Sequence, residues 1–166
     1  MLLDDSGDPV QNLARMIDTI DIAMLTTTTD DGQLESRPMA TRPLASDGIV
    51  WFFASRTSHL VQSVVNHPKV NISYTDPIRQ RYVSVSGSAA VLDDHVKRHA
   101  FWQPKYTTWF PHGVDDPDLI LLRIQVDHAD YWEAASSPVA SLIGFSKALI
   151  GADHVDSVSN HGRLDL

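Results

Sequence analysis

Residues 35 to 43 read ESRPMATRP, which places two Arg-Pro pairs among small and apolar side chains. Proline has no N–H to give to a sheet ladder, and an arginine is costly to bury without an anion. Pro38 fixes the backbone directly after Arg37, and Ser36 and Thr41 add hydroxyl donors nearby. A guanidinium held in this way suits bidentate capture of a phosphate or carboxylate. A surface arginine on an edge strand is the plainer reading of the same residues. A second anion-friendly stretch is SRTSHL, residues 55 to 60, with the hydroxyls of Ser55, Thr57 and Ser58 and the cations Arg56 and His59. It follows an apolar strand and starts a helix, where free N–H groups attract phosphate. An ordinary serine N-cap accounts for that stretch equally well. Two such segments flanking one apolar strand together suggest a phosphate site.

The third chemical element is aromatic. Trp102, Trp109 and Phe110 lie in the loop-rich segment FWQPKYTTWFPHG and fit either core packing, a subunit contact or the face of a planar ring ligand. His95 and His99 are four apart on a helix and share a face, but a zinc hydrolase of the H-E-x-x-H type needs a glutamate where Val96 stands. Two ligands alone are too few for a metal site. The acidic run DDPD at 115 to 118 lacks calcium-loop spacing and reads as a solvated turn. No GxSxG, GxGxxG or P-loop occurs, which leaves nucleophile-elbow hydrolases and dinucleotide folds without support. His59 and His112 are the nearest candidates for acid or base work, and neither is placed by a motif.

These residues need a scaffold, and the pattern supplies one. Asp8-Pro9 opens a helix carrying Val10, Leu13, Ile17 and Ile20 at helical spacing. Strands follow at Ala23 to Thr29 and Leu34 to Thr41, joined by the hairpin signal Asp30-Asp31-Gly32. IVWFFA, from Ile49, is apolar on both faces and so predicts a strand covered on both sides. A helix from Thr57 or Ser58 to Pro68, a strand from Val70 to Tyr74, an alternating strand from Tyr82 to Leu92 and a helix capped by Asp93 or Asp94 come next. Gly87 predicts a bulge or a close backbone approach. Leu119 to Val126 and Asp130 to Ala134 read as two further strands, Ser137 to Ile150 as a last helix, and 152–166 as a mobile polar tail. Six or more strands in hairpin order with a few flanking helices predict a mainly β, α+β fold, an antiparallel barrel.

Composition bounds the partners. The 166 residues carry a formal charge of −8 with no cluster of Lys and Arg, which disfavours nucleic acid and anionic membranes. There is no cysteine, hence no disulfide, thiol nucleophile or thiolate metal site. No apolar run approaches the roughly 20 residues of a membrane span, and the acidic start (Asp4, Asp5, Asp8) is unlike a signal peptide. A cytoplasmic single domain over 1–151 is expected.

The blocks LTTTTDDGQLESRPM, DGIVWFFASRTSHLVQSVVNHPKVNISY, YVSVSGSAAVLDD, FWQPKYTTWFPHGVDDPDLILLRI and ADYWEA, in this order, resemble the general stress protein branch of the pyridoxamine 5′-phosphate oxidase-like, FMN-binding split-barrel superfamily. The resemblance spans about Leu25 to Gly151. It implies a split β-barrel homodimer with FMN at the subunit interface. It further implies Arg37 as a phosphate ligand and Arg37-Pro38-Met39 along the flavin ring. The strand Trp51, Phe52, Phe53 to Ser55 would lie beneath the ring, Ser58 and His59 at the phosphate, and Lys105 and Trp109 would reach over from the partner chain. Family members often carry a basic residue where this chain has Leu60, so the phosphate here would rest on fewer cations. The basic substrate pocket and C-terminal signature of a true pyridoxamine-phosphate oxidase are absent. The implied activity is a flavin-dependent oxidoreductase of unassigned substrate with NAD(P)H as electron donor. A non-catalytic flavin-binding or buffering module, and a split barrel carrying haem or a deazaflavin, stand as alternatives.

Overall fold

The computed structural model describes residues 8–134 and 159–166. The helix expected from Ser137 to Ile150 lies outside them. The described residues form seven strands and three α-helices. The elements are α1 (Pro9–Ile17), β1 (Ile22–Thr28), β2 (Leu34–Ala40), β3 (Ile49–Ser55), α2 (His59–Asn66), β4 (Lys69–Asp76), β5 (Arg81–Leu92), α3 (His95–Phe101), a 3₁₀ helix (Pro104–Thr108), β6 (Leu119–Ala134) and β7 (Ser159–Asp165). The sheet is antiparallel, in the order β2-β1-β4-β5-β6-β3, with β7 also on β6. It does not close into a barrel, because β2 and β3 are its two ends and no ladder joins them among the described residues.

The caps sit where the local sequence places them. The Asp8 carboxylate accepts the Val10 N–H ahead of Pro9, Ser58 accepts the Val61 N–H, and Asp94 accepts the Lys97 N–H. β3 is covered on both faces, as its unbroken apolar run predicts. Val50, Phe52 and Ala54 enter the main core with Leu13, Met16 and Leu60, while Ile49, Trp51 and Phe53 join a second cluster with Tyr106, Leu119 and Leu121. Leu60 is buried in that main core. Among the described residues, no helix is long and apolar enough to cross a membrane.

Besides the expected barrel, which does not close, two expectations are corrected. The strands read at 119–126 and 130–134 are one strand of 16 residues. Ile120, Leu122, Ile124 and Val126 point inward, and then Ala129 does, so the inward parity changes at Asp127. The ladder shows why: Ser86 pairs with His128 but Gly87 with Val126, which leaves Asp127 as an extra bulged residue. A period-2 reading breaks at such a parity change even though the hydrogen bonding continues. Gly87 is required there, because a Cβ at this position would stand on the backbone carbonyl of Gln125. The second correction concerns the polar tail. Residues 159–165 form β7, paired with His128 to Ala134 along the same edge of β6 that β3 pairs at Leu119 to Gln125. The second half of β6 would otherwise leave an open row of backbone donors and acceptors. Leu164 and Leu166 pack against the main core and anchor the added strand.

Candidate functional site

The seam between β2 and β3 is where side chains of different elements meet. Pro38, Met39 and Ala40 of β2 meet Phe53 of β3 and Tyr106, Trp109 and Phe110 there, with the Ala40 side on the second cluster and Met39 also packed against the main core. Together they line a cleft of about 110 Å³. β2 is an end strand, where a proline can sit without breaking a ladder on both sides. Pro104 starts the 3₁₀ turn that brings Tyr106 into the second cluster, so that its ring meets Phe53 edge-on at 5.1 Å. Phe53 also meets Trp102 at 5.7 Å and Phe110 at 6.2 Å. The Trp109 side of the cleft remains open, with that residue 53% exposed.

Arg42, from the second Arg-Pro pair, holds this wall in place. Its guanidinium donates to the Phe101 carbonyl and, at 3.1 Å, to the Tyr106 hydroxyl, and lies 4.3 Å from the Phe101 ring centre. The sequence reading missed Ala40, Tyr106 and Arg42. The repeated Arg-Pro and the Pro104 turn in PKYTTWF were the available signals.

The residues singled out in the sequence are divided by the structure. Pro38, Met39, Phe53 and Trp109 converge on the cleft. Arg37 is next to it in β2 but does not line it. Its Nη2 donates to Glu35 Oε2 at 3.0 Å and to Thr27 Oγ1 at 3.5 Å, and its side chain is 24% exposed. Trp51 shares the face of Phe53 but is covered, with Phe101 edge-on at 5.5 Å and Lys97 Nζ 5.0 Å from its ring. Phe52 points the opposite way, fully buried in the main core. Lys105 is exposed, with Nζ 5.5 Å from the Tyr106 ring centre, and His59 is exposed at the start of α2.

Ser55 and Ser58 lie at the end of β3 in a turn where Asp118 and nearby carbonyls take several of the donors. The Ser55 hydroxyl donates to Asp118 Oδ2, the Thr57 N–H donates to Asp118 Oδ1 at 3.1 Å, and the Arg56 N–H donates to the Asp118 carbonyl at 2.7 Å. The Ser58 hydroxyl donates to the Ser55 carbonyl at 2.7 Å. The Arg56 guanidinium pairs with Asp93 and donates to the Pro117 carbonyl. A carboxylate of the chain itself thus takes the place that an anionic ligand would have there. The Ser55 hydroxyl and the Thr57 N–H hold the Asp118 carboxyl below the usual carboxylate range. The DDPD run is also more than a solvated turn: Asp115 meets His95 and His99, Asp116 meets His112, and Asp118 fills the turn just described.

Comparison with known proteins agrees with this architecture. The family model described as Pyridoxamine 5′-phosphate oxidase like matches residues 8–156. General stress protein 26 of Bacillus subtilis is 27% identical over 100 residues, which cover 58% of this chain and 71% of that protein. A crystal structure of a general stress family protein of Xanthomonas campestris pv. campestris superposes with a TM-score of 0.65 at 28% identity, covering 79% of this chain and 92% of that one. The general stress FMN/FAD binding protein of Xanthomonas citri gives a TM-score of 0.65 at 27% identity, over 77% and 90% of the two chains.

Proposed function

The chain belongs to the pyridoxamine 5′-phosphate oxidase like family, in its general stress protein branch, and on that premise we propose that the seam cleft binds the ring of FMN. The observation that carries the proposal is the cleft's lining: an apolar floor of Pro38, Met39 and Phe53 beside an open indole at Trp109. The FMN/FAD binding named for the Xanthomonas citri protein supports the same ligand class. A planar ring fits such a surface, since ligand sites are mostly apolar with few polar groups. One chain encloses only about 110 Å³, against roughly 300–1,000 Å³ for pockets that bury a small molecule. A second copy of the chain, covering the open side in a homodimer split barrel, would complete the site; Trp109 already lines the cleft of its own chain, so Lys105 is the residue left to reach across.

For the phosphate, the residues present favour Arg37 over the turn at Ser55 to Ser58. Arg37 needs only to exchange an exposed Glu35 for the ligand, whereas the turn would have to release Asp118. When bound, a flavin supplies reversible electron transfer of its own, so that the protein's part is binding and orientation. The lining offers one titratable group, the Tyr106 phenol, and Arg42 already holds it. That observation gives weight to a second reading, a flavin-binding module without turnover. The leading reading is a flavin-dependent oxidoreductase of unassigned substrate, with NAD(P)H as the electron donor to be tested.

The test is the visible spectrum of the freshly purified protein, then titration of the apo form with FMN and anaerobic addition of NADPH. A bound flavin band that bleaches with NADPH and returns with oxygen supports the oxidoreductase. A band that binds and does not bleach supports the module. Absence of binding at high FMN concentration overturns both readings.

A further inference from the structure

Away from the cleft, the exposed side of α3 brings together three side chains that the function proposed above does not use. His95 and His99 project one turn apart, and the loop before β6 brings Asp115 against both. Asp115 Oδ1 is 2.8 Å from His99 Nε2 and 3.3 Å from His95 Nε2, and the two imidazole rings are 4.3 Å apart. We propose that His95, His99 and Asp115 form a binding site for a divalent transition ion of the zinc class.

The geometry goes beyond an ion pair. An aspartate and one histidine satisfy each other, but here two imidazole nitrogens converge on the same carboxylate oxygen. All three ligand atoms lie within 4.8 Å of one another. Around a tetrahedral zinc, ligand atoms about 2.1 Å from the metal stand roughly 3.4 Å apart, close to the separations already present. Two imidazoles with one carboxylate suit zinc, nickel or cobalt, and not the all-oxygen shell of calcium or magnesium. The i, i+4 spacing puts both histidines on one helix face. The missing third ligand was the reason the histidine pair carried no metal reading in the sequence, and the fold provides it from sixteen residues beyond His99.

The loop that carries Asp115 is fixed in place. Arg98, buried in α3 between the two histidines in sequence, donates from Nη1 to the carbonyls of Asp116, at 3.3 Å, and Leu119. Asp116 accepts the Asp118 N–H at 2.8 Å through Oδ1 and meets His112 at 2.9 Å through Oδ2. The carboxylate is therefore positioned before any ion arrives, which reduces the ordering cost of binding. All three ligands are solvent-exposed, Asp115 at 73%, so an ion has free access and open coordination positions remain. Bound metal would tie α3 to the loop that follows Trp109 and Phe110.

The experiment is calorimetric titration of the full chain, stripped with chelator, with zinc chloride, repeated with cobalt chloride while following the visible absorption. The expected result is one ion per chain, micromolar or tighter affinity, a raised melting temperature with zinc, and cobalt bands characteristic of ordered ligation. His99→Gln and Asp115→Asn should each weaken binding at least tenfold, with circular dichroism unchanged. His67→Gln, which alters a partly exposed histidine elsewhere, should leave it as it was. The proposal is overturned by no saturable binding, or by binding that His99→Gln and Asp115→Asn leave intact, or by equal losses in the His67→Gln control. None of these readouts depends on flavin.

Discussion

Two regions at β3 differ in composition, and the structure reverses what that composition suggests. The turn from Ser55 to Ser58 is rich in hydroxyls, a cation and helix-start donors, the composition of an anion site. The cleft at Pro38, Phe53 and Trp109 is apolar and carries almost no donors. Yet Asp118 takes the Ser55 hydroxyl and the Thr57 N–H of the turn, while the cleft keeps an aromatic surface open to solvent. The lesson is that a site is marked by groups left without a partner after folding. A list of suitable residue types does not reveal whether the chain has already used them.

The largest effect that can test this contrast separates the two faces of β3. Phe52 belongs wholly to the main core, so Phe52→Ala should cost about 3–5 kcal/mol of stability in chemical unfolding. A cost below about 1 kcal/mol would show that the face assignment is wrong. Next comes the cation at the seam. Arg37→Ala should weaken FMN by roughly 1.5–3 kcal/mol, the range for a hydrogen bond to a charged group, measured by fluorescence titration. An unchanged dissociation constant would move the phosphate elsewhere. A smaller effect is expected from the open indole. Trp109→Ala should reduce flavin affinity by about 0.5–1.5 kcal/mol and weaken self-association in sedimentation, with the melting temperature nearly unchanged. Loss of stability without loss of binding would return Trp109 to a packing role.

Much of the fold was legible because local signals and burial agree. Asp8, Ser58 and Asp94 cap the helices that the pattern announces, and IVWFFA is buried on both faces as its unbroken run requires. Strand β6 was split in the reading because the bulge at Asp127 reverses the inward parity. β7 was missed because Ser-Asn-His-Gly-Arg-Leu-Asp shows no apolar alternation; an unfilled edge of β6 recruits it, which is a long-range cause. The site was half legible. Pro38, Met39, Phe53 and Trp109 were singled out and do meet, whereas Trp51 and Phe52 are neighbours in sequence of a lining residue and are covered by α3 or the core. Asp118 taking the donors of Ser55 and Thr57 joins positions about sixty residues apart, and nothing in local spacing announces it.

That last pairing supplies the finest test of the contrast. Asp118→Asn removes the charge from the turn and one of the two oxygens that accept from Ser55 and Thr57, and if Arg37 holds the phosphate, FMN affinity should stay the same. An increase in affinity would instead show that Asp118 competes with the ligand for the turn, and would restore Ser55 and Ser58 to the phosphate site. The same variant has a pH signature. The Ser55 hydroxyl lowers the Asp118 carboxyl below its unfolded value of about 3.9, so the folded state favours the charged form. Its stabilising contribution is fully present above that unfolded value and is lost as pH falls through the lower folded value. The difference in urea midpoint between the parent protein and Asp118→Asn should therefore be constant from pH 7 to about 5 and shrink below about 4. A difference that holds constant into the acid range would mean that the turn does not select the ionised carboxylate, and that its hold on the Ser55 and Thr57 donors is not what keeps a ligand out.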